Sequence, residues 1–96
     1  MEVGRNIGRV LVEDGLAACV NLLPGAESVY RWEGRIEVSA EVVGLVKTTD
    51  AQLEKLKHRY LSLHPYEVAE FLILGPVGGS VPYLDWLEGS VGTPGV

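Results

Sequence analysis

Residues 2 to 14 carry apolar positions at helical spacing. Val3, Ile7, Val10 and Leu11 fall on one face, while Arg5, Asn6, Arg9 and Glu13 fall elsewhere, so the stretch predicts a helix. Gly15 follows, where a helix end favours a left-handed backbone. The next run, LAACVNLL at 16–23, is too apolar for a surface element and too short for a second helix, which predicts a buried strand. Pro24-Gly25 then predicts a bend or a bulge, because proline cannot donate to a strand ladder.

Residues 26–48 predict two strands about a tight turn at Glu33-Gly34. Tyr30 and Trp32 share a face before the turn, and Ile36, Val38, Ala40 and Val42 share one after it. Both arms exceed the usual strand of about 5–6 residues. A small sheet cannot cover arms of that length, so part of the hairpin is expected to reach another subunit. Residues 48–64 predict a second helix with a buried stripe of Leu53, Leu56, Tyr60 and Leu63, a capping box from Thr49 and Gln52, and a stop at Pro65. VAEFLIL at 68–74 predicts a strand, GPVGG a loop, and SVPYLDWL at 80–87 a short helix capped by Ser80. Residues 88–96 have little to pack and are expected to be a loose tail. The order is helix, strand, strand, helix, strand, short helix. One more strand at the front would give the split βαβ pattern of ferredoxin-like folds.

Ninety-six residues predict one domain over 1–96, with no repeats and no linker. The net charge of −5 argues against nucleic acid and against anionic membrane surfaces as partners. No run reaches the roughly 18 apolar residues of a membrane-spanning helix, and the first residues do not read as a signal peptide, so a cytoplasmic setting is expected. The one cysteine, Cys19, allows neither an intrachain disulfide nor a cysteine-based zinc site.

The candidate chemistry concentrates in HPYEVAEF, residues 64–71. Glu67 and Glu70 are three apart, so on a regular strand they face opposite ways and do not pair without a bulge. His64 reads either as a residue at the negative end of a helix dipole or as a metal ligand. His58 lies off the apolar stripe and reads as a surface residue. Cys19, flanked by apolar residues, reads as a buried structural thiol, with a nucleophilic Cys–His pair as the alternative. GPVGGS lacks the Lys-Ser/Thr ending of a phosphate loop. Thr48, Thr49 and Asp50 are explained by helix capping. Tyr30, Arg31 and Trp32 sit near a hairpin tip, where aromatic residues and arginine favour subunit packing over ligand stacking. Lys47 ends an apolar run, either at the sheet rim or pointing into a pocket.

Three stretches, LVEDGLAACVNLLPGAESVYRWEGRIE, VKT at 46–48 and LHPYEVAEFLIL, followed by YLDWL at 83–87, together resemble the CutA family of divalent-cation tolerance proteins. Their order and spacing run over nearly the whole chain. The resemblance implies an α+β, ferredoxin-like (split βαβ) sandwich with a long β-hairpin, assembled as a tight homotrimer with intersubunit sheets. It also implies likeness to the PII signalling trimers, whose clefts between subunits bind small ligands, and an association with copper and other divalent metals. No catalytic activity is firmly attached to the family.

Two departures from the family pattern stand out. Family members begin with a strand before the first helix, whereas here the helix pattern starts almost at Met1. In the ferredoxin-like sheet that strand is central, so a natural protein lacking it is a less favoured reading than a misassigned start or a shortened chain. The second departure concerns metal. Copper ligands assigned in some members are a cysteine of that first strand and a His-His pair before the proline. Here the pair reads Leu63-His64, so only His64 carries over.

The expected function is therefore a trimeric, non-catalytic protein that binds copper(II) or another divalent cation weakly through His64, with Glu67 and Cys19 as candidate further ligands. The alternatives are a PII-like sensor, with a small anionic metabolite held in the intersubunit cleft by Lys47, Tyr30, Trp32 and Tyr66, and a purely structural trimer. Tyr30, Arg31, Trp32 and Trp86 are the expected trimer contacts. An enzyme is the least favoured reading, because no positioned nucleophile–base pair is visible.

Overall fold

A computed structural model describes residues 1–64, 71–76 and 78–92. Helix α1 spans Glu2–Glu13 and ends where the pattern placed its stop. Gly15 takes φ 72°, and the N–H groups of Leu16 and Ala17 then both donate to the Leu11 carbonyl, at 3.0 and 3.1 Å. The left-handed glycine thus reverses the chain and satisfies an orphan helix-end carbonyl in one step.

The chain leaves this turn into β1 (Cys19–Trp32), which pairs antiparallel with β2 (Arg35–Lys47). The two strand runs expected before the hairpin turn are one continuous strand, interrupted between Leu23 and Ala26 by an irregularity at Pro24-Gly25. Three residues of β1 advance there against two of β2, so β1 carries one extra residue and its side chains swap faces. Val20 and Leu22 therefore lie on the same side as Val29, while Leu23 lies on the side of Ser28, Tyr30 and Trp32. At the far end, Glu33 and Gly34 take φ 49° and 78°, the two positive values of a tight two-residue hairpin turn. Fourteen residues at about 3.3 Å each span roughly 45 Å. The longest dimension of the molecule is 45 Å, so the hairpin sets it.

Helix α1 lies on one face of the base of this hairpin. Cβ atoms built at Gly4 and Gly8 would sit 3.5 Å from Leu22, 3.6 Å from Val42 and 3.3 Å from Val20. Glycines four apart on one helix face let its backbone approach the strands closely. Beyond α1 the hairpin continues uncovered.

A single 3-10 turn (Asp50–Gln52) leads into α2 (Leu53–Leu63). The expected capping box does not form, since neither Thr49 nor Gln52 makes a side-chain cap bond. The extra turn puts Gln52, not Thr49, at the start of the α-helix, which breaks the spacing a capping box requires. Nor does Thr48 cap a helix. Its hydroxyl donates to the carbonyl of Leu16 at 2.6 Å, tying the end of β2 to the turn after α1. Thr48→Val is expected to lower unfolding stability by about 1–3 kcal/mol, because it strands a part-buried acceptor. Urea denaturation at fixed protein concentration measures this.

The core is small. Ile7, Leu11, Leu16, Ala17 and Leu56 are its buried residues, and Val20, Tyr60, Leu63 and Phe71 pack around them. Helix α3 spans Val81–Gly89, longer than expected at its end. Ser80 occupies the cap position without a side-chain cap bond. Residues 88–92, expected to be loose, are tied. Glu88 and Gly89 finish α3, Ser90 Oγ donates to the Trp86 carbonyl at 2.7 Å, and the Gly92 N–H donates to the Gly15 carbonyl at 2.6 Å. Backbone groups at the α1 turn supply the partner that the tail's own side chains lack.

The strand expected over 68–74 lies partly outside the described residues. Its described part, 71–74, joins no ladder, and among the described residues the sheet has two strands, β1 and β2. Phe71 is held by ring packing on Tyr60, with centroids 5.5 Å apart, while Leu72, Ile73 and Leu74 are exposed.

Candidate functional site

The hairpin dominates the candidate surface. Past α1, the face that α1 covers at its base presents Val29, Ile36 and Val38, which are 66%, 61% and 59% exposed. Val29 and Val38 are direct cross-strand partners. The opposite face presents Leu23, Val43 and Leu45 near the base and Tyr30 and Trp32 near the tip, all exposed. Both faces of a two-stranded ribbon are thus apolar and uncovered over much of their length. Soluble monomers rarely leave contiguous apolar surface of this kind, and it marks an interaction site.

One polar cluster interrupts the aromatic face. Ser28 Oγ donates to Glu41 Oε2 at 2.9 Å, and Ser39 Oγ donates to Glu41 Oε1 at 3.2 Å. The Tyr30 and Ser39 hydroxyls are 3.5 Å apart. Ser28 and Ser39 are cross-strand partners, which brings the two hydroxyls to one carboxylate. Sequence reading missed this cluster. Finding it requires the register, and on the tip side of the bulge the two-residue turn alone sets that register.

The expected ligand-cleft residues do not meet within one chain. Lys47 closes the base of the hairpin opposite Cys19, and its ammonium lies 5.7 Å from the centre of the Tyr83 ring. Tyr30 pairs with Glu37 and Trp32 with Arg35, near the tip. Ten residues of β2 separate Lys47 from Glu37, roughly 33 Å of strand. A cleft using Lys47, Tyr30 and Trp32 together therefore needs more than one copy of the chain. Tyr66 lies outside the described residues. Of the expected trimer contacts, Tyr30, Arg31 and Trp32 stand together at the tip, whereas Trp86 stacks on Tyr83 of α3 at 5.6 Å.

The expected metal ligands are as scattered. His64 follows the last residue of α2, with extended backbone angles, and its N–H donates to the Tyr60 carbonyl at 3.0 Å. Its ring packs on Tyr60 at 5.2 Å. The helix-stop reading of His64 holds, and the place is one where a cation is favoured by the helix dipole. Cys19 is half-buried at the start of β1, a free thiol 4.0 Å from Asn21 Oδ1. Glu67 and Glu70 lie outside the described residues. Among the described residues no three His, Cys, Asp or Glu side chains converge on a point. One chain's described donors thus form no closed protein-only cage of the kind a structural metal site uses.

The architecture is that of an α+β protein with a projecting antiparallel hairpin and helices packed at its base. Solved proteins share it. A structure from Nostoc sp. PCC 7120, described as a PII-like protein CutA in apo form, is 38% identical, aligns over 94% of this chain and 88% of its own, and gives a TM-score of 0.87. The family model described as CutA1 divalent ion tolerance protein matches residues 1–90. A divalent-cation tolerance protein CutA of Thermus thermophilus is 48% identical over 91 residues, covering 95% of this chain and 88% of the relative. Protein CutA of Homo sapiens is 44% identical over 87 residues, covering 91% of this chain and 49% of the relative. The chain belongs to the CutA family of divalent-cation tolerance proteins. It spans about half the length of the curated plant and animal relatives it matches. None of the described helices is long and apolar enough to cross a membrane.

Proposed function

We propose that the chain works as a homotrimer without catalytic activity and that it binds copper(II) or another divalent cation weakly, at sites to which more than one copy contributes. The observation that carries this reading is the hairpin, whose two apolar faces are left open by the chain's own helices. Assembly buries those faces. It also brings scattered donors from separate copies within reach of one another, as a metal site here requires. His64 is the donor of choice, because an imidazole at a helix C-terminus sits in a field that favours cations. Glu67 and Cys19 are the supporting candidates.

His64→Ala is expected to weaken copper(II) binding at least tenfold without dissociating the assembly, measured by calorimetric titration alongside sedimentation. Unchanged affinity would remove His64 from the site. The names of relatives as divalent-cation tolerance proteins support the metal reading over catalysis. A second reading rests on the likeness to the PII-like structure. In it, a small anion lies between copies, with Lys47 of one near Tyr30 and Trp32 of another. Trp32 and Trp86 fluorescence titrated with nucleotides tests it.

A further inference from the structure

A groove of about 560 Å³, open to solvent, lies between α1 and β1, lined by Glu2, Arg5, Asn6, Arg9, Val12, Val20 and Leu22. Its volume falls within the range of small-molecule sites. Its lining is divided. Val20 and Leu22 of the strand and Val12 of the helix supply apolar surface, while Arg5, Asn6 and Arg9 supply polar groups from α1. Arg5 and Arg9 are four apart, so their side chains are neighbours on the helix. Among the described residues, Arg9 takes part in no ion pair, and Arg5 meets only Glu2, at 3.7 Å. The Glu2 side chain is 95% exposed, so this contact is screened and easily displaced. The chain's net charge of −5 does not cancel the pair locally, because screening confines each charge to about 8 Å at physiological salt.

We infer that this groove binds a small amphipathic carboxylate. Its apolar body lies on Val12, Val20 and Leu22, and its carboxylate is gripped by the guanidinium groups of Arg5 and Arg9. Arginine suits this role because its planar fork donates two parallel hydrogen bonds to a carboxylate. Asn6 adds a side-chain donor beside them. The site shares no residue with the metal reading or with the Lys47 cleft, so it stands or falls separately from both.

The probe is hexanoate, with hexanol as the uncharged control, titrated into isotope-labelled protein and followed by amide and methyl chemical shifts. Hexanoate is expected to give saturable shifts at Val12, Val20 and Leu22, and hexanol none at the same concentrations. Arg5→Gln/Arg9→Gln is expected to weaken hexanoate at least tenfold, and Lys55→Gln, on α2, to leave it unchanged. The exposed positions of both arginines keep these variants folded, which thermal melts check. Shifts that stay linear, that hexanol reproduces, or that survive the double substitution would overturn the site. If the double substitution changes the mass of the assembly but not hexanoate binding, the groove is a subunit contact and the anion site is refuted.

Discussion

Replacing Val29 and Val38 together with aspartate is expected to break the assembly into monomers. The two valines are cross-strand partners on one face of the hairpin, and each is more than half exposed in the single chain. Within one chain the substitution removes little packing and adds two like charges side by side, a cost of roughly 1 kcal/mol at most. Inside an interface the same carboxylates would lose their water without gaining partners, at several kcal/mol each. The asymmetry is what makes the variant informative. Sedimentation of the pure protein at micromolar concentration should show the single-chain mass, with the helical circular dichroism signal retained. An unchanged mass would mean that this face stays in water in the native protein.

Leu11→Ala is expected to have the largest effect on the fold itself. Leu11 has no exposed surface and belongs to a core of only five buried residues among those described. Truncating a buried leucine costs about 2–5 kcal/mol, from lost transfer energy and the cavity left behind. Small domains have about 5–15 kcal/mol in total. The variant should therefore lose a large fraction of its stability, seen as a lower denaturation midpoint in guanidinium at fixed protein concentration. Val3→Ala, on the same helix but half exposed, serves as the comparison and should shift the midpoint far less. Equal shifts would mean that α1 packs on its partners through a different face.

Much of the fold was legible because its signals are local. The period of α1, the positive φ at Gly15, the Glu33-Gly34 turn and the overlong hairpin arms all follow from neighbouring residues. Legibility ended where a feature depends on residues far apart. Thr48 reads as a helix cap until the turn after α1 is known to lie against it, 32 residues away. The same holds for Gly92, whose partner is Gly15. The role of Gly4 and Gly8 also escaped the sequence. Two glycines in a helix read as weak points, and only the strand beneath shows that their lack of a side chain brings α1 close to Val20 and Leu22. The described residues of VAEFLIL, 71–74, carry a strand's composition but join no ladder, and composition says nothing of pairing partners.

The candidate site was less legible, for a related reason. His64 was placed correctly at a helix end, since Pro65 marks that end in the sequence itself. Lys47, Tyr30 and Trp32 were grouped in a cleft between subunits, and the register puts Lys47 at the base of the hairpin and the two aromatic residues near its tip, which leaves that grouping to separate copies. Ser28, Ser39 and Glu41 form their cluster because the two-residue turn sets the register that pairs Ser28 with Ser39 and brings Glu41 beside them. Residue types announce chemistry, but convergence is a property of pairing.

The central claim is that copies of the chain cover the hairpin. Native mass spectrometry of the unmodified protein tests it most directly. The expected result is a dominant species of three chain masses that persists on dilution to low micromolar concentration. A dominant single-chain mass under those conditions would contradict it, and would leave the exposed faces of the hairpin without the partner proposed for them.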